Sequence, residues 1–374
     1  MGDPPLSKPT ALRVFLPALC AGLLTTSAVL RAEDTVHLYN WNDYFAEDTL
    51  AKFQEQTKIR PVLDLYDAND VLEAKLFAGS SGYDLVFPTA RPFAARHIAA
   101  GLYQPLDKSK LPGLDKLDPA IVESLTDIDP GNQYLVPYMW GTTGLGVNLA
   151  KAKEALGSDE GLDTWGLIFD PEKASKLAGC GISMLDDPSE AFSAALAYLG
   201  KDPNSRTEED LAAATELLNK ARPYIRVFHS SQYISDLANG DLCVAHGYSG
   251  DVLQAKSRAE EAGKGVEVVY RIPKEGAVLW TDVMAIPKDA PNPAAAHEFI
   301  AFILKPETVA AITNYVMYAN PNLASTPLLD EAVRNDPGIY PSDEVKKKLF
   351  VMQIPDDKAM RNLNRLWTRI KAQR

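Results

Sequence analysis

From residue 34 onward the chain alternates short apolar runs with amphipathic ones. Thr35–Trp41 predicts a strand, and 49–54 carries apolar residues at helical spacing behind Asp48 as its cap. Arg60–Tyr66 predicts a second strand, Asn69–Ala78 a helix, and 83–88 a short apolar strand behind Ser81-Gly82. Strands alternating with helices imply βαβ units and a mostly parallel sheet. Ligands of such sheets gather beyond the carboxyl ends of the strands, here 40–44 and 88–91.

The rhythm changes at Pro137-Tyr138-Met139-Trp140-Gly141-Thr142-Thr143-Gly144. Its Gly/Thr segment, between predicted strands at 134–140 and 145–148, reads as a crossover between lobes. A second series follows: a strand at 181–185, helices at 191–199 and Glu208–Ala221, and strands at Ile225–Phe228 and 242–247. Runs at 266–272 and 279–286 predict two more strands, and helices fill most of the remainder, ending in 356–371. No internal repeat or flexible linker interrupts this pattern. At 374 residues the chain accommodates two α/β lobes built on one continuous chain.

The first 32 residues differ. Lys8 and Arg13 precede an apolar run at 14–24, and small residues lead to Leu30-Arg31-Ala32, the layout of a secretory signal cleaved near Ala32. The run is short of the roughly 20 residues a membrane-spanning helix needs, and an uncleaved anchor is the alternative. Cys20 follows Leu19, a poor match to a lipoprotein site. Removing Lys8, Arg13 and Arg31 together with Asp3, a net of +2, deepens the charge from −12 to about −14. Such acidity argues against nonspecific nucleic-acid binding. It suits a cationic ligand, and it equally suits plain solubility. Cleavage also leaves Cys180 and Cys243, which in an exported protein read as one disulfide, with two buried thiols as the alternative.

Little points to an enzyme. The five histidines show no HExxH spacing, no CxxC occurs, and no GxxxxGK[ST] loop is present, so neither metal, cofactor nor catalytic residue is expected. Gly247-Tyr248-Ser249-Gly250-Asp251 approaches a nucleophile elbow but ends in Asp251 where a small residue is required, which leaves a Ser249–His246 hydrolase as a remote reading. More informative is the pairing of aromatics with carboxylates at predicted strand ends: Trp41-Asn42-Asp43-Tyr44, Tyr248-Ser249-Gly250-Asp251 and Trp280-Thr281-Asp282. Carboxylates would receive the ammonium groups of an alkyl diamine, and aromatic faces would wall its methylenes and add cation–π attraction. Each group also has a plainer explanation, with Trp41 as core, Asp43 or Asp48 as a cap and Trp280 as a packed strand residue.

The same residues carry a resemblance. Tyr39-Asn40-Trp41-Asn42-Asp43-Tyr44, Phe228-His229-Ser230-Ser231-Gln232-Tyr233-Ile234, Asp236-Leu237-Ala238-Asn239-Gly240, Ile272-Pro273-Lys274-Glu275-Gly276 and Asn335-Asp336-Pro337-Gly338-Ile339-Tyr340-Pro341, with the Pro137–Thr142 motif, resemble the periplasmic putrescine- and spermidine-binding proteins of bacterial polyamine ABC transporters. The likeness spans 33–374 and is nearest the putrescine-binding branch. It implies a two-lobed, type II-like periplasmic binding fold, with 33–140 plus about 258–315 as the N-terminal lobe and 141–257 plus about 316–374 as the C-terminal lobe. It also implies a monomeric receptor that closes as a hinge on a polyamine and hands it to a membrane permease and ATPase.

Within these motifs Trp41, Tyr248 and Trp280 would wall the alkyl chain, with Phe93 and Tyr318 completing an aromatic box and Tyr44 alongside. Asp251, beside Asn42, would pair with one ammonium, and Asp282 and Glu190 would serve the other. Asp43, Thr89 and Ser230 would add polar contacts, and Cys180 and Cys243 fall where the putrescine branch has a disulfide. Asn42 and Thr89 stand where the family commonly has Ser. Two further departures bear on ligand choice. Arg91, in Thr89-Ala90-Arg91-Pro92-Phe93, introduces a guanidinium, and Asp187 stands where putrescine binders tend to have a small residue. Arg91 is expected to pair with Asp187 or to point to water. Facing the cleft instead, it would favour an ω-amino acid such as 5-aminovalerate or 4-aminobutyrate.

Overall fold

The computed structural model describes residues 1–2 and 34–373, and the chain from Asp34 onward forms one compact unit. The leader reading, on 1–32, lies almost wholly outside the described residues. Among the described residues ten strands form: β1 (Thr35–Trp41), β2 (Arg60–Tyr66), β3 (Leu85–Val86), β4 (Leu135–Asn148), β5 (Ile182–Met184), β6 (Ile225–Phe228), β7 (Val244–Tyr248), β8 (Val268–Arg271), β9 (Ala277–Ala285) and β10 (Leu349–Phe350). They pair in the order β2-β1-β3-β9-β4-β7-β5-β6, with β8 also on β4 and β10 also on β9. The outer strands are parallel, β1 with β2 and β3 at one end and β5 with β6 and β7 at the other. In the middle β9 runs antiparallel to β3 and β4, and β4 antiparallel to β7 and β8, so the sheet is mixed.

The alternation that predicted the strands is visible in their packing. On β1, Val36 and Leu38 enter one apolar cluster with Phe53, Phe87 and Phe299, while Tyr39 enters another with Tyr66 and Leu72. At the other end, Ile182 and Met184 pack with Trp165, Phe192 and Trp367, and Leu185 packs with Tyr233 and Val252. Parallel strands buried on both faces need such double cover.

One correction concerns the Gly/Thr segment. The break expected between strands at 134–140 and 145–148 is absent, because β4 is one strand of 14 residues, its Leu135–Thr142 part against β9 and its Thr143–Asn148 part against β7 and β8. At about 3.3 Å per residue it spans both halves of the molecule. Its glycines mark close approach rather than a turn: a Cβ at Gly141 would sit 2.7 Å from the Trp280 ring, and one at Gly144 would sit 2.5 Å from the Arg271 carbonyl oxygen. β8, inside the 258–315 segment, pairs with the far part of β4, Val268 opposite Asn148 and Arg271 opposite Leu145. Asp48 precedes the helix Thr49–Thr57 but makes no side-chain cap bond; it pairs with Lys52 at 2.7 Å instead.

Cys180 and Cys243 form a disulfide, with Cα atoms 5.5 Å apart. It ties the approaches to β5 and β7, which lie side by side with Ile182 opposite Val244. Because it closes 63 residues, loop-closure entropy predicts that reducing it, or a Cys180→Ser/Cys243→Ser variant, lowers unfolding stability by about 4 kcal/mol. Denaturant unfolding with and without reductant measures this, and an unchanged midpoint would contradict it.

Candidate functional site

A cavity of about 280 Å³ opens where the carboxyl ends of the outer parallel strands meet β9, near the lower end of the size range of small-ligand sites. Trp41 reaches it from the end of β1, with Asn42 and Tyr44 from the turn behind it. Thr89, Arg91 and Phe93 come from the loop after β3, Tyr248 from the end of β7, Ser230 from the turn after β6, and Trp280 and Asp282 from β9. Two helix starts contribute acids. Glu190 lies in the first turn of Pro188–Tyr198 and Asp251 in the first turn of Ser249–Ala262, where the helix dipole favours a negative charge. Tyr318 enters after the helix Pro306–Val316.

The aromatic lining forms a continuous edge-to-face chain. Trp41 meets Tyr248 at 6.5 Å between ring centres, Tyr248 meets Trp280 at 5.8 Å, Trp280 meets Tyr318 at 5.3 Å, and Tyr318 meets Tyr44 at 5.3 Å. Such contacts lock the rings, since the electron-poor edge of one rests on the electron-rich face of the next. Trp41 is further held by a 2.8 Å bond from its indole N–H to the Phe87 carbonyl.

Among these rings sit acids bound only by neutral donors. Tyr233 and Tyr318 each donate to Asp251 at 2.6 Å, Tyr44 donates to Asp282 Oδ2 at 2.8 Å, and Thr143 donates to Glu190 Oε1 at 3.0 Å. The second oxygens, Asp282 Oδ1 and Glu190 Oε2, are buried with no hydrogen-bond partner among the described residues. Burial raises all these carboxyls, because the charged form loses water. Asp251 is pushed up to about 6, against the pull of its two tyrosine bonds, and Asp282 to about 7, against the pull of its Tyr44 bond. Asp187 rises to about 7 through burial and the charge of Asp70; Glu190 rises well above the usual range through burial and Asp187. The arrangement suits positive charge: it is aromatic-walled, acid-lined and without a neutralising lysine in its wall.

A family model described as bacterial extracellular solute-binding protein matches residues 48–341. The chain belongs to the bacterial extracellular solute-binding proteins. This solute-binding protein is similar to the putrescine-binding periplasmic protein SpuD of Pseudomonas aeruginosa (strain UCBPP-PA14), 52% identical over 360 residues covering 96% of this chain and 98% of that one. It is also 51% identical to the putrescine-binding periplasmic protein PotF of Escherichia coli K12, over 97% and 99% of the two chains. A spermidine/putrescine-binding periplasmic protein of Escherichia coli K12 is 32% identical over 88% of this chain and 90% of that one. Among solved structures, a protein of Listeria monocytogenes assigned to a spermidine/putrescine ABC transporter superposes with a TM-score of 0.82 at 31% identity, over 91% of this chain and all of that one. The fold is the mixed α/β fold of type II periplasmic binding proteins. By their names the SpuD and PotF relatives are putrescine-binding periplasmic proteins.

The solute-binding protein brings Trp41, Asn42, Tyr44, Thr89, Phe93, Glu190, Ser230, Tyr248, Asp251, Trp280, Asp282 and Tyr318 around this one cavity, with Arg91 and Asp187 also in its wall. Asp43 is not in the lining. Its backbone is left-handed, with φ 53, and its carboxylate pairs with Arg258 at 3.0 Å. Arg91 does not pair with Asp187; its guanidinium binds the Asp127 carboxylate and approaches the Ser124 carbonyl at 3.4 Å. Asp187 caps its helix through Oδ1, which accepts from the N–H groups of Ser189 and Glu190 at 2.7 and 3.1 Å. The Ser249–His246 pair does not assemble. His246 packs edge-on against Trp165, burial lowers it to about 3, and neither ring nitrogen has a partner among the described residues.

Tyr233 lies in the Phe228–Ile234 motif without carrying a sequence signal of its own, and Gly250 stands in both the elbow-like segment and the Tyr248–Asp251 pair. A Cβ at Gly250 would stand 2.5 Å from the Tyr318 ring, so glycine is what lets Tyr318 lie over the helix start and reach Asp251. Gly250→Ala is therefore expected to displace Tyr318 and cost about 1–3 kcal/mol through overpacking, read by thermal unfolding without ligand. An unchanged melting temperature would show that the ring has room to give.

Proposed function

We propose that this solute-binding protein captures an aliphatic polyamine with at least two ammonium groups, putrescine or spermidine, outside the cytoplasm and delivers it to an ABC importer. The observation that carries the reading is the set of buried carboxylates, Asp251, Asp282 and Glu190, held by neutral hydroxyls between aromatic rings. A polyamine supplies what such acids lack. Its ammonium groups form charge-assisted hydrogen bonds, and its methylenes lie against Trp41, Tyr248 and Trp280. The names of the relatives support the same ligand class and an extracytoplasmic location. No helix among the described residues is long and apolar enough to cross a membrane.

In this reading Asp251 receives one terminal ammonium, and Asp282 and Glu190, each with a free oxygen, receive the other end directly or through water. Asp187 extends the anionic wall for a longer ligand. Asp251 and Glu190 come from the second half of the molecule, Trp41 and Thr89 from the first, so a bound polyamine bridges the two. A ligand that contacts both halves favours the closed arrangement by its differential affinity. The receptor acts as a monomer, without cofactor or nucleic acid. A membrane permease and its ATPase take the closed, loaded form, and a leader ending near Ala32 is removed on export.

Asp251→Ala is expected to weaken putrescine binding by about 2–5 kcal/mol, a factor of roughly 30 to several thousand, because it strands a buried ammonium. Titration calorimetry decides this, and unchanged affinity would remove Asp251 from the site.

Affinity should also fall with acidification. The amines stay charged below pH 9, whereas Asp282 and Asp251 take up protons near 7 and 6 and must lose them to pair. Affinity should therefore be steady above pH 8, fall by up to tenfold between 7 and 6, and fall more steeply below 6. The same raised values cost the ligand-free protein stability as pH rises from about 4 through 7, so the ligand-induced melting shift should grow over that interval. A flat pH profile would mean that these acids do not pair with the ligand.

A further inference from the structure

We propose that Asp127 determines the class of ligand: by occupying Arg91, it withholds from the cavity the cation that would receive a carboxylate, and so favours diamines over ω-amino acids. This rests on the polyamine reading and adds to it a residue outside the cavity wall.

Arg91 is the single basic residue in the lining, against Asp67, Asp187, Glu190, Asp251 and Asp282, among the described residues. Its side chain is 14% exposed, too little for water to satisfy a guanidinium with five donors, so where those donors point decides what the cavity presents. One nitrogen, Nη2, binds Asp127 Oδ1 and lies 3.4 Å from the Ser124 carbonyl. Ser124 and Leu125 themselves line the cavity, so the pair stands at its edge rather than remote from it. Asp127 is 65% exposed. Losing an exposed acid costs the fold little, whereas the sheltered guanidinium it leaves behind still needs a partner.

The consequence differs by ligand. A freed Arg91 turned toward the cavity repels an ammonium and forms a bidentate pair with a carboxylate. A molecule with an amine at one end and an acid at the other would then keep Asp251 or Asp282 for its amine and gain Arg91 for its acid. With Asp127 in place the same molecule brings its acid into a wall of five carboxyls whose only cation is already engaged.

Calorimetry with putrescine and with 5-aminovalerate, on the full mature chain and on Asp127→Ala, Asp127→Asn, Arg91→Ala and the Arg91→Ala/Asp127→Ala double variant, tests this. The ratio of putrescine to aminovalerate affinity is expected to fall at least tenfold in both Asp127 variants and to return toward the wild-type value in the double variant. An unmoved ratio in Asp127→Asn and Asp127→Ala would overturn the inference. So would an equal fall with Arg91 absent, since loss of one negative charge would then suffice. A wild-type protein that binds no putrescine removes the polyamine reading and this inference together, whereas putrescine binding with an unmoved ratio removes only the inference.

Discussion

The structure depends on keeping negative charge in a place where water is largely excluded. Asp251, Asp282 and Glu190 are buried, and no lysine or free arginine stands in the wall to discharge them. Two devices hold them there. Phenolic and threonine hydroxyls from Tyr44, Tyr233, Tyr318 and Thr143 orient the carboxyls without neutralising them. The first turns of two helices offer Glu190 and Asp251 a favourable dipole. The remaining cost appears as carboxyls raised toward neutrality. In the proposed function, a ligand bringing its own positive charges completes such a site.

Meeting that constraint shapes the backbone around it. β4 crosses from one half of the molecule to the other, and β9 lies along it with Trp280 opposite Gly141 and Asp282 opposite Met139. The absence of a side chain at Gly141 lets the indole lie across β4 beside Ser249, and the absence of one at Gly250 does the same for Tyr318. Rings that touch edge to face leave little freedom, so the acids they surround are placed by the packing of the core itself. Tyr138 shows the link: its ring packs against Tyr44, and its hydroxyl bonds the Tyr44 carbonyl at 2.6 Å, fixing the residue that holds Asp282.

Much of this was legible from residue order. The strand ends at Trp41 and Tyr248, the aromatic–acid pairs and the helix Glu208–Ala221 follow from periodicity and from known habits of parallel sheets. What failed did so for identifiable reasons. Gly141-Thr142-Thr143-Gly144 has the composition of a turn, and only the neighbours at Trp280 and Tyr270 explain glycine inside a strand. Asp43 sits between two cavity residues in sequence, yet its carboxylate pairs with Arg258, 215 residues away, and lies outside the lining. Arg91 found Asp127, 36 residues away, rather than Asp187.

The sequence by itself determined the inventory: the alternation that builds an α/β sheet, the acids and rings at strand ends, the two cysteines, and the family these motifs mark. Those features are local, written in spacing and residue type, and they persist whatever the chain packs against. Tertiary structure alone decided which acids keep a free oxygen, which ring holds which carboxyl, and that the cavity's single arginine is already engaged. Those outcomes depend on distances between segments far apart in the chain, 238 residues for Tyr44 and Asp282 and 67 for Tyr318 and Asp251. Coulomb and hydrogen-bond energies act over ångströms in space and carry no trace in the order of residues.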